Sequence, residues 1–70
     1  PRWNDEQYCL EQIEKDGLKI QYIKDPSEDI RLKAVKQNGL AIQFIDKPSE
    51  AVKVKAVQQN VYSIQYIKDP

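Results

Sequence analysis

The chain repeats itself every 22 residues, and this period constrains its fold more than any other feature of the sequence. The segment GLKIQYIKDPSEDIRLKAVKQN (17–38) matches GLAIQFIDKPSEAVKVKAVQQN (39–60), and VYSIQYIKDP (61–70) begins a further, partial copy. Residues 5–16 align more loosely at the same shift, so residues 1–16 form a degenerate first unit. A fixed period of this length indicates a stack of similar small modules, and not an enzyme built around one pocket.

The length of the chain makes contacts between the units necessary. Seventy residues form one small domain, close to the size at which a hydrophobic core is marginal. We therefore expect residues 1–70 to be a single repeat domain in which packing between neighbouring units supplies much of the stability. The degenerate, acidic first unit would cap the stack, with Trp3 folded over its exposed end.

Signals at the ends of the repeated segment favour helices. The motif DPSE (25–28) fits an N-cap at Asp25, a proline at the first helical position and the glutamate of a capping box. In the next copy Lys47 replaces Asp25, so that Asp46 or Ser49 must supply the cap. The pair NG at 38–39 would end the helix, with Gly39 in the left-handed conformation.

A hairpin is the alternative interpretation of the same segment. The runs IRLKAV and VKVKAV alternate in polarity, and an Asn-Gly pair between such runs is a strong hairpin signal. At the next equivalent turn, however, the pair is Asn60-Val61, and valine would be strained in a type I′ turn. We therefore favour helices.

Each unit is then expected to contain two short helices. The fold class that follows is all-α, a short right-handed α-solenoid of about three two-helix units, with an all-β repeat or hairpin array as the alternative. The first helix of each unit is predicted at about 6–15, 27–37 and 49–59, and the second at about 18–24, 40–46 and 62–67.

Two of the repeated segments carry a resemblance to a known family. AVKQNGLAIQF and AVQQNVYSIQY resemble the tandem AVKQNG-type repeats of bacterial and phage proteins, a domain of unknown function. The resemblance covers about residues 17–70, and it implies helical copies that occur in arrays. It implies no activity, because the function of that family is not established. The chain departs from the family pattern at Val61, in its acidic first unit and in the break after Pro70.

The residues that most enzymes use for catalysis are scarce in this chain. It has no histidine and a single cysteine, Cys9, and it contains no glycine-rich phosphate loop. We therefore predict that the protein is not an enzyme and has no metal site and no cofactor. A lone cysteine fits a reducing compartment, so we expect a cytoplasmic location. No apolar run approaches the roughly 18–20 residues that a membrane span needs.

Three sets of recurring side chains are candidates for a binding surface. The recurring glutamines Gln21, Gln43 and Gln65 either hydrogen-bond a neighbouring loop or helix end, or form a stripe that contacts an extended partner. The cations form either a solvated face or a basic strip for an acidic partner. The aromatic set is expected to be core. The glutamines are Gln21, Gln43 and Gln65, the cations are Arg31, Lys33, Lys36, Lys53 and Lys55, and the aromatic residues are Tyr22, Phe44 and Tyr66.

These features predict a protein-binding module, such as a small bacterial or phage inhibitor or a scaffold. The alternative is a reader of single-stranded RNA or DNA, with bases stacked on tyrosine and read by glutamine. The balance of 11 basic and 11 acidic residues disfavours it. A third option is self-assembly as a homodimer through an uncapped C-terminal end, unless the natural chain is longer. The self-association residues would be Val61, Tyr62, Ile64 and Ile67.

Overall fold

The structure is a computed structural model that describes residues 5–67 of the chain. In this range three α-helices alternate with three 3₁₀ helices, and no strand is present. The all-α prediction is therefore confirmed, and the all-β alternative is wrong. The predicted position of Trp3 lies outside the described residues. The helices are α1 (Glu6–Lys15), η1 (Gly17–Tyr22), α2 (Glu28–Gln37), η2 (Gly39–Phe44), α3 (Glu50–Gln59) and η3 (Val61–Tyr66).

Each α-helix and the 3₁₀ helix that follows it form one structural unit. These structural units have other boundaries than the sequence copies described above, and from here on they are called the first (5–26), second (27–48) and third (49–67) unit. Every α-helix packs against the next α-helix, and every 3₁₀ helix packs against the next 3₁₀ helix. Within residues 5–67 no contact joins the elements of the first unit to those of the third. This linear order is what a short α-solenoid requires, while its right-handed sense stays a prediction. No helix in the described range is long and apolar enough to cross a bilayer.

Serine side chains begin the second and third α-helices. The Ser27 hydroxyl accepts a hydrogen bond from the Ile30 N–H, and the Ser49 hydroxyl accepts one from the Val52 N–H, each at 3.3 Å. A cap of this kind satisfies one of the N–H groups that a helix leaves unpaired at its start. The prediction of a cap at Asp25 is therefore wrong, whereas the alternative cap at Ser49 is confirmed.

An Asx cap begins each 3₁₀ helix directly after the α-helix ends. The Asp16, Asn38 and Asn60 side chains each accept a hydrogen bond at 3.0 Å from the N–H two residues further on. The same residues occupy the C-cap positions of the α-helices, with extended backbone near φ −155°. One short polar side chain thus ends one helix and starts the next, which explains why this position stays Asp or Asn in every unit.

The left-handed residues of the fold are not glycines. Neither Gly17 nor Gly39 has a positive φ, so the prediction of a left-handed Gly39 is wrong. In the described range the two positive values belong to Asp25 (φ 60°) and Lys47 (φ 54°). Both residues lie between a 3₁₀ helix and the cap of the next α-helix, where the chain turns into the following unit.

Both glycines are required by the close approach of the next unit. A Cβ atom added at Gly17 would lie 2.5 Å from the carbonyl oxygen of Ala34, and one added at Gly39 would meet the carbonyl oxygen of Ala56. Real Cβ atoms do not come this close to a backbone oxygen. The equivalent residue of the third unit is Val61, which is 62% exposed.

Aliphatic side chains at the boundaries between units form the core. Isoleucine dominates it, and two alanines allow the α-helices to approach closely. Because each unit is too small to enclose a core alone, this arrangement makes every unit depend on its neighbour. The buried apolar residues are Cys9, Ile13, Ile20, Ile23, Ile30, Ala34, Val35, Ala41, Ile42, Ile45, Val52 and Ala56.

Candidate functional site

The aromatic residue of each 3₁₀ helix is exposed. Tyr22 is 59% exposed, Phe44 is 40% exposed and Tyr66 is 38% exposed. The prediction that this aromatic ladder belongs to the core is therefore wrong. The three rings instead recur once per unit on the side of the stack formed by the 3₁₀ helices.

The geometry of the 3₁₀ helix explains this exposure. With three residues per turn, residues i and i+3 lie above one another. Ile20 (1% exposed) and Ile23 (8%) are such a pair, and both face the core. Tyr22 lies two residues after Ile20 and therefore points away from the side of the helix that faces the core. In an α-helix with 3.6 residues per turn, Tyr22 would instead lie on the same face as Leu18, four residues earlier.

A groove of about 570 Å³ runs between the 3₁₀ helices of the second and third units. We call it the aromatic groove, because two of the exposed rings line it. Its lining also brings together three of the predicted partner-binding residues. Its polar, charged and aromatic lining residues are Gln43, Phe44, Asp46, Lys47, Lys53, Gln65 and Tyr66.

The recurring glutamines are anchored within their own helices. Gln21, Gln43 and Gln65 are exposed, and each Nε2 donates a hydrogen bond to the carbonyl oxygen three residues earlier, at 3.0–3.2 Å. The bond therefore joins no neighbouring loop or unit. It fixes the amide on the surface, and two of these amides, those of Gln43 and Gln65, face the aromatic groove.

Two of the five predicted cations lie close to glutamates of their own helix. The Arg31 Nη1 atom is 3.9 Å from Oε1 of Glu28, and the Lys53 Nζ atom is 3.8 Å from Oε1 of Glu50. These two positions correspond to the fully buried Cys9 of the first unit, so the stems of both side chains are largely covered, with 25% and 21% of each side chain exposed. Long cationic side chains bury their methylene groups in this way while the charged end reaches water.

The other three predicted cations lie on a different surface. Lys33, Lys36 and Lys55 line a second groove of about 550 Å³ on the side of the α-helices, together with Glu14 and Asp29. The predicted cations therefore do not share one surface, since Lys53 lines the aromatic groove and Arg31 lines neither groove. Because two carboxylates share the second groove, its cations do not form the uninterrupted basic strip that a phosphate backbone requires.

The glutamines that connect the units were missed in the sequence. The Gly17 N–H donates to Oε1 of Gln37 at 2.7 Å, and the Gly39 N–H donates to Oε1 of Gln59 at 2.5 Å. Gln37 was predicted only to face outward, and not to bond a neighbouring unit. The available signal was a Gly and a Gln 20 residues apart in two successive copies, with Lys15 at the glutamine position of the first unit.

The predicted self-association residues lie at the end of the third unit. Val61 is 62% exposed, Tyr62 is 71% exposed and Ile64 is 63% exposed, whereas Ile67 is half-buried. These side chains do not belong to the aromatic groove, apart from Ile67 at its edge. They form a separate apolar surface.

The single thiol of the chain lies in the core. Cys9 is fully buried in α1. Burial raises the pKa of the Cys9 thiol, and the nearby carboxylates of Asp5 and Glu6 raise it further. A buried thiol with a raised pKa is a poor nucleophile. Between residues 5 and 67, no group of three or more Cys, Asp or Glu side chains is arranged to hold a metal ion.

Comparison with protein families, with curated proteins and with solved structures gives no match to this chain.

Proposed function

We propose that the protein is a non-catalytic protein-binding module that takes an extended segment of a partner protein into the aromatic groove. The observation that carries this proposal is the exposure of Phe44 and Tyr66 side by side in one groove. Large aromatic side chains are typical anchors of protein interfaces, because they bury much area at a low entropic cost.

The repeat gives the groove a spacing that suits an extended chain. Packed helices lie about 8–10 Å apart, and one turn of a polyproline II segment, which is three residues, spans about 9 Å. A bound segment in this extended conformation could therefore turn every third side chain toward an equivalent position of successive units. The anchored amides of Gln43 and Gln65 offer their oxygens to the backbone N–H groups of such a segment.

The alternative is binding of single-stranded nucleic acid. Exposed aromatic rings are the side chains on which bases stack. The charges oppose it, because Arg31 and Lys53 lie within 4 Å of glutamates and the net charge of the chain is zero. Binding to phosphates depends on cations that are not already neutralised.

The wider role that we propose is that of a small bacterial or phage inhibitor or scaffold acting in the cytoplasm. The origin rests on the resemblance to the AVKQNG-type repeats, which stays a prediction. The location rests on the single cysteine, which cannot form a disulfide within one chain.

Selection of binding peptides tests the proposed groove. The full chain would be immobilised and used to select from a displayed library of random peptides, and the affinity of the enriched peptides would be measured. We expect Phe44→Ala and Tyr66→Ala to weaken binding at least about tenfold each, as the loss of an interface anchor does. Tyr62→Ala is the matched control, because Tyr62 is an exposed aromatic residue outside the groove.

Two results would contradict the proposal. One is an enriched peptide whose affinity is unchanged by both groove variants. The other is binding of mixed-sequence oligonucleotides that falls steeply between about 50 and 200 mM salt and depends on Phe44 and Tyr66, which would favour the nucleic-acid alternative.

A further inference from the structure

The amides in the aromatic groove suit a ligand whose backbone is not bonded to itself. Gln43 and Gln65 line the groove, and the Nε2 atom of each donates to a carbonyl oxygen of its own 3₁₀ helix. This leaves the amide oxygen and the second N–H of each side chain for a bound molecule. An α-helix offers them little, because along its length the backbone groups already bond one another. The amides therefore favour an extended segment, whose backbone groups are free.

The aromatic rings select among extended conformations by their period. Phe44 and Tyr66 are equivalent residues of adjacent units, so that their exposed rings recur once per unit along the stack. Adjacent packed helices lie about 8–10 Å apart. In a β-strand, neighbouring side chains on one face are only about 7 Å apart, which is too short for this interval. In a polyproline II helix every third side chain falls on one face, about 9 Å further along the axis, which fits it.

We infer that the ligand of the aromatic groove is a segment in the polyproline II conformation with proline at every third position. The inference rests on the proposed function, because it names the kind of segment that the groove takes. Proline fixes φ near −65°, so a segment rich in proline holds this conformation before it binds and loses little entropy. Its apolar ring packs well on an aromatic face, and grooves lined by aromatic side chains are a general means of recognising such segments.

The register of the ligand follows from the rings and the amides together. One proline faces Phe44 and the next faces Tyr66, while the two residues between them turn toward the sides of the groove. Because these two residues keep their N–H groups, their backbone can bond the amide of Gln43 or Gln65. Tyr22, the equivalent ring of the first unit, is 59% exposed, and a longer ligand would place a third proline against it.

Two synthetic peptides of equal composition test the conformation of the ligand. Both contain alanine and three prolines, with the prolines three residues apart in one peptide and two residues apart in the other. Titration of the isotope-labelled full chain, followed through its amide NMR signals, gives both affinities. We expect the peptide with prolines three residues apart to bind at least about tenfold more tightly. Equal affinities, or no binding of either peptide up to about 1 mM, would overturn the inference.

A ring variant tests the contact with proline. Tyr66→Leu keeps an apolar side chain in the groove but removes the aromatic face, and we expect it to weaken binding of the preferred peptide at least about tenfold. Tyr62→Leu is the matched control, because Tyr62 is 71% exposed and lies outside the groove. Far-UV circular dichroism checks that both variants keep the fold. Full affinity in Tyr66→Leu would contradict the contact between proline and the ring.

The selection from a random library separates this inference from the proposed function. We expect the enriched peptides to carry prolines three residues apart and to lose binding in Phe44→Ala. Enriched peptides that depend on Phe44 and Tyr66 but lack prolines at this interval would overturn the inference and leave the proposed function standing. A selection that yields no peptide dependent on these two rings would contradict both.

Discussion

At the scale of single residues, the backbone atoms that pack against Gly17 and Gly39 explain why these residues are glycine. Gly39 does not need its conformational freedom, but its missing Cβ lets α3 bring the carbonyl oxygen of Ala56 against the backbone. The same N–H then reaches the side chain of Gln59. The missing Cβ of Gly39 therefore allows both the close packing and the hydrogen bond to Gln59. We call this contact between successive units, with its equivalent between Gly17 and Gln37, the joint.

Substitution of this glycine should be costly, whereas its counterpart at the end of the stack should tolerate change. We expect Gly39→Ala to lower the free energy of unfolding by about 2–3 kcal/mol, because an inserted methyl group forces the two units apart. Val61→Gly should lower it by less than about 1 kcal/mol, since Val61 is exposed and only backbone entropy is affected. Urea denaturation measures both values. Equal losses in the two variants would contradict the close-approach explanation.

A second residue-scale prediction concerns the strained backbone at Lys47. A non-glycine side chain at φ 54° carries a steric penalty of about 1 kcal/mol that glycine avoids. Lys47→Gly should therefore raise the free energy of unfolding by roughly 0.5–1 kcal/mol. The neighbouring Asp46→Gly serves as control and should not stabilise the chain, because Asp46 has no positive φ and glycine only loosens the unfolded state. Stabilisation in both variants would point away from backbone strain.

At the scale of elements, the 3₁₀ helices depend on the α-helix of the next unit. Six residues are too few for a helix that is stable alone, so packing and caps decide its form. The joint through Gln59 ties the start of η2 to the end of α3.

The joint can be tested by removing its acceptor. Gln59→Ala leaves the half-buried Gly39 N–H without its partner, and we expect a loss of about 1–3 kcal/mol in the free energy of unfolding. Gln58→Ala, at an exposed position of the same helix, is the control and should change the free energy of unfolding by no more than about 0.5 kcal/mol. Thermal or chemical denaturation gives the comparison. If the control costs as much as the test variant, helix propensity and not the joint would explain the loss.

The limits of what the sequence could predict are clearest for these elements. Helix positions followed from local signals, such as the acidic first turns and the Asn at the end of α2 and α3, although the cap of α2 was predicted at Asp25 and lies at Ser27. The sequence did not predict that the second helix of each unit is a 3₁₀ helix, because Leu40 and Phe44 also fit the i, i+4 spacing of an α-helix. The role of Gln37 did not follow either. Its bond reaches 20 residues back, and a single sequence gives no distance between two residues so far apart.

At the scale of the whole molecule, stability depends on position in the stack. The second unit has a neighbour on each side, whereas the third unit packs on one side only in the isolated chain. In such linear arrays, stability is approximately the sum of unit and interface terms. At equivalent positions of the second and third units, the same residue type should therefore contribute very different amounts to the free energy of unfolding.

Two isoleucines provide this comparison. Ile42→Ala removes a side chain that is 2% exposed, and we expect a loss of about 2–4 kcal/mol in the free energy of unfolding. Ile64→Ala removes one that is 63% exposed, and at low protein concentration we expect a loss below about 0.5 kcal/mol. Urea denaturation at about 5 µM measures both. Similar losses at the two positions would show that Ile42 and Ile64 do not differ in packing as described.

The joint also makes the second unit a self-contained cassette. Residues 27–48 carry both halves of the contact, with Gln37 directed to the preceding unit and Gly39 to the following one. A duplicate of this cassette inserted after residue 48 would find a matching half on each side. The array would lengthen without any redesign of its end units, and each insertion would add one ring to the exposed aromatic series.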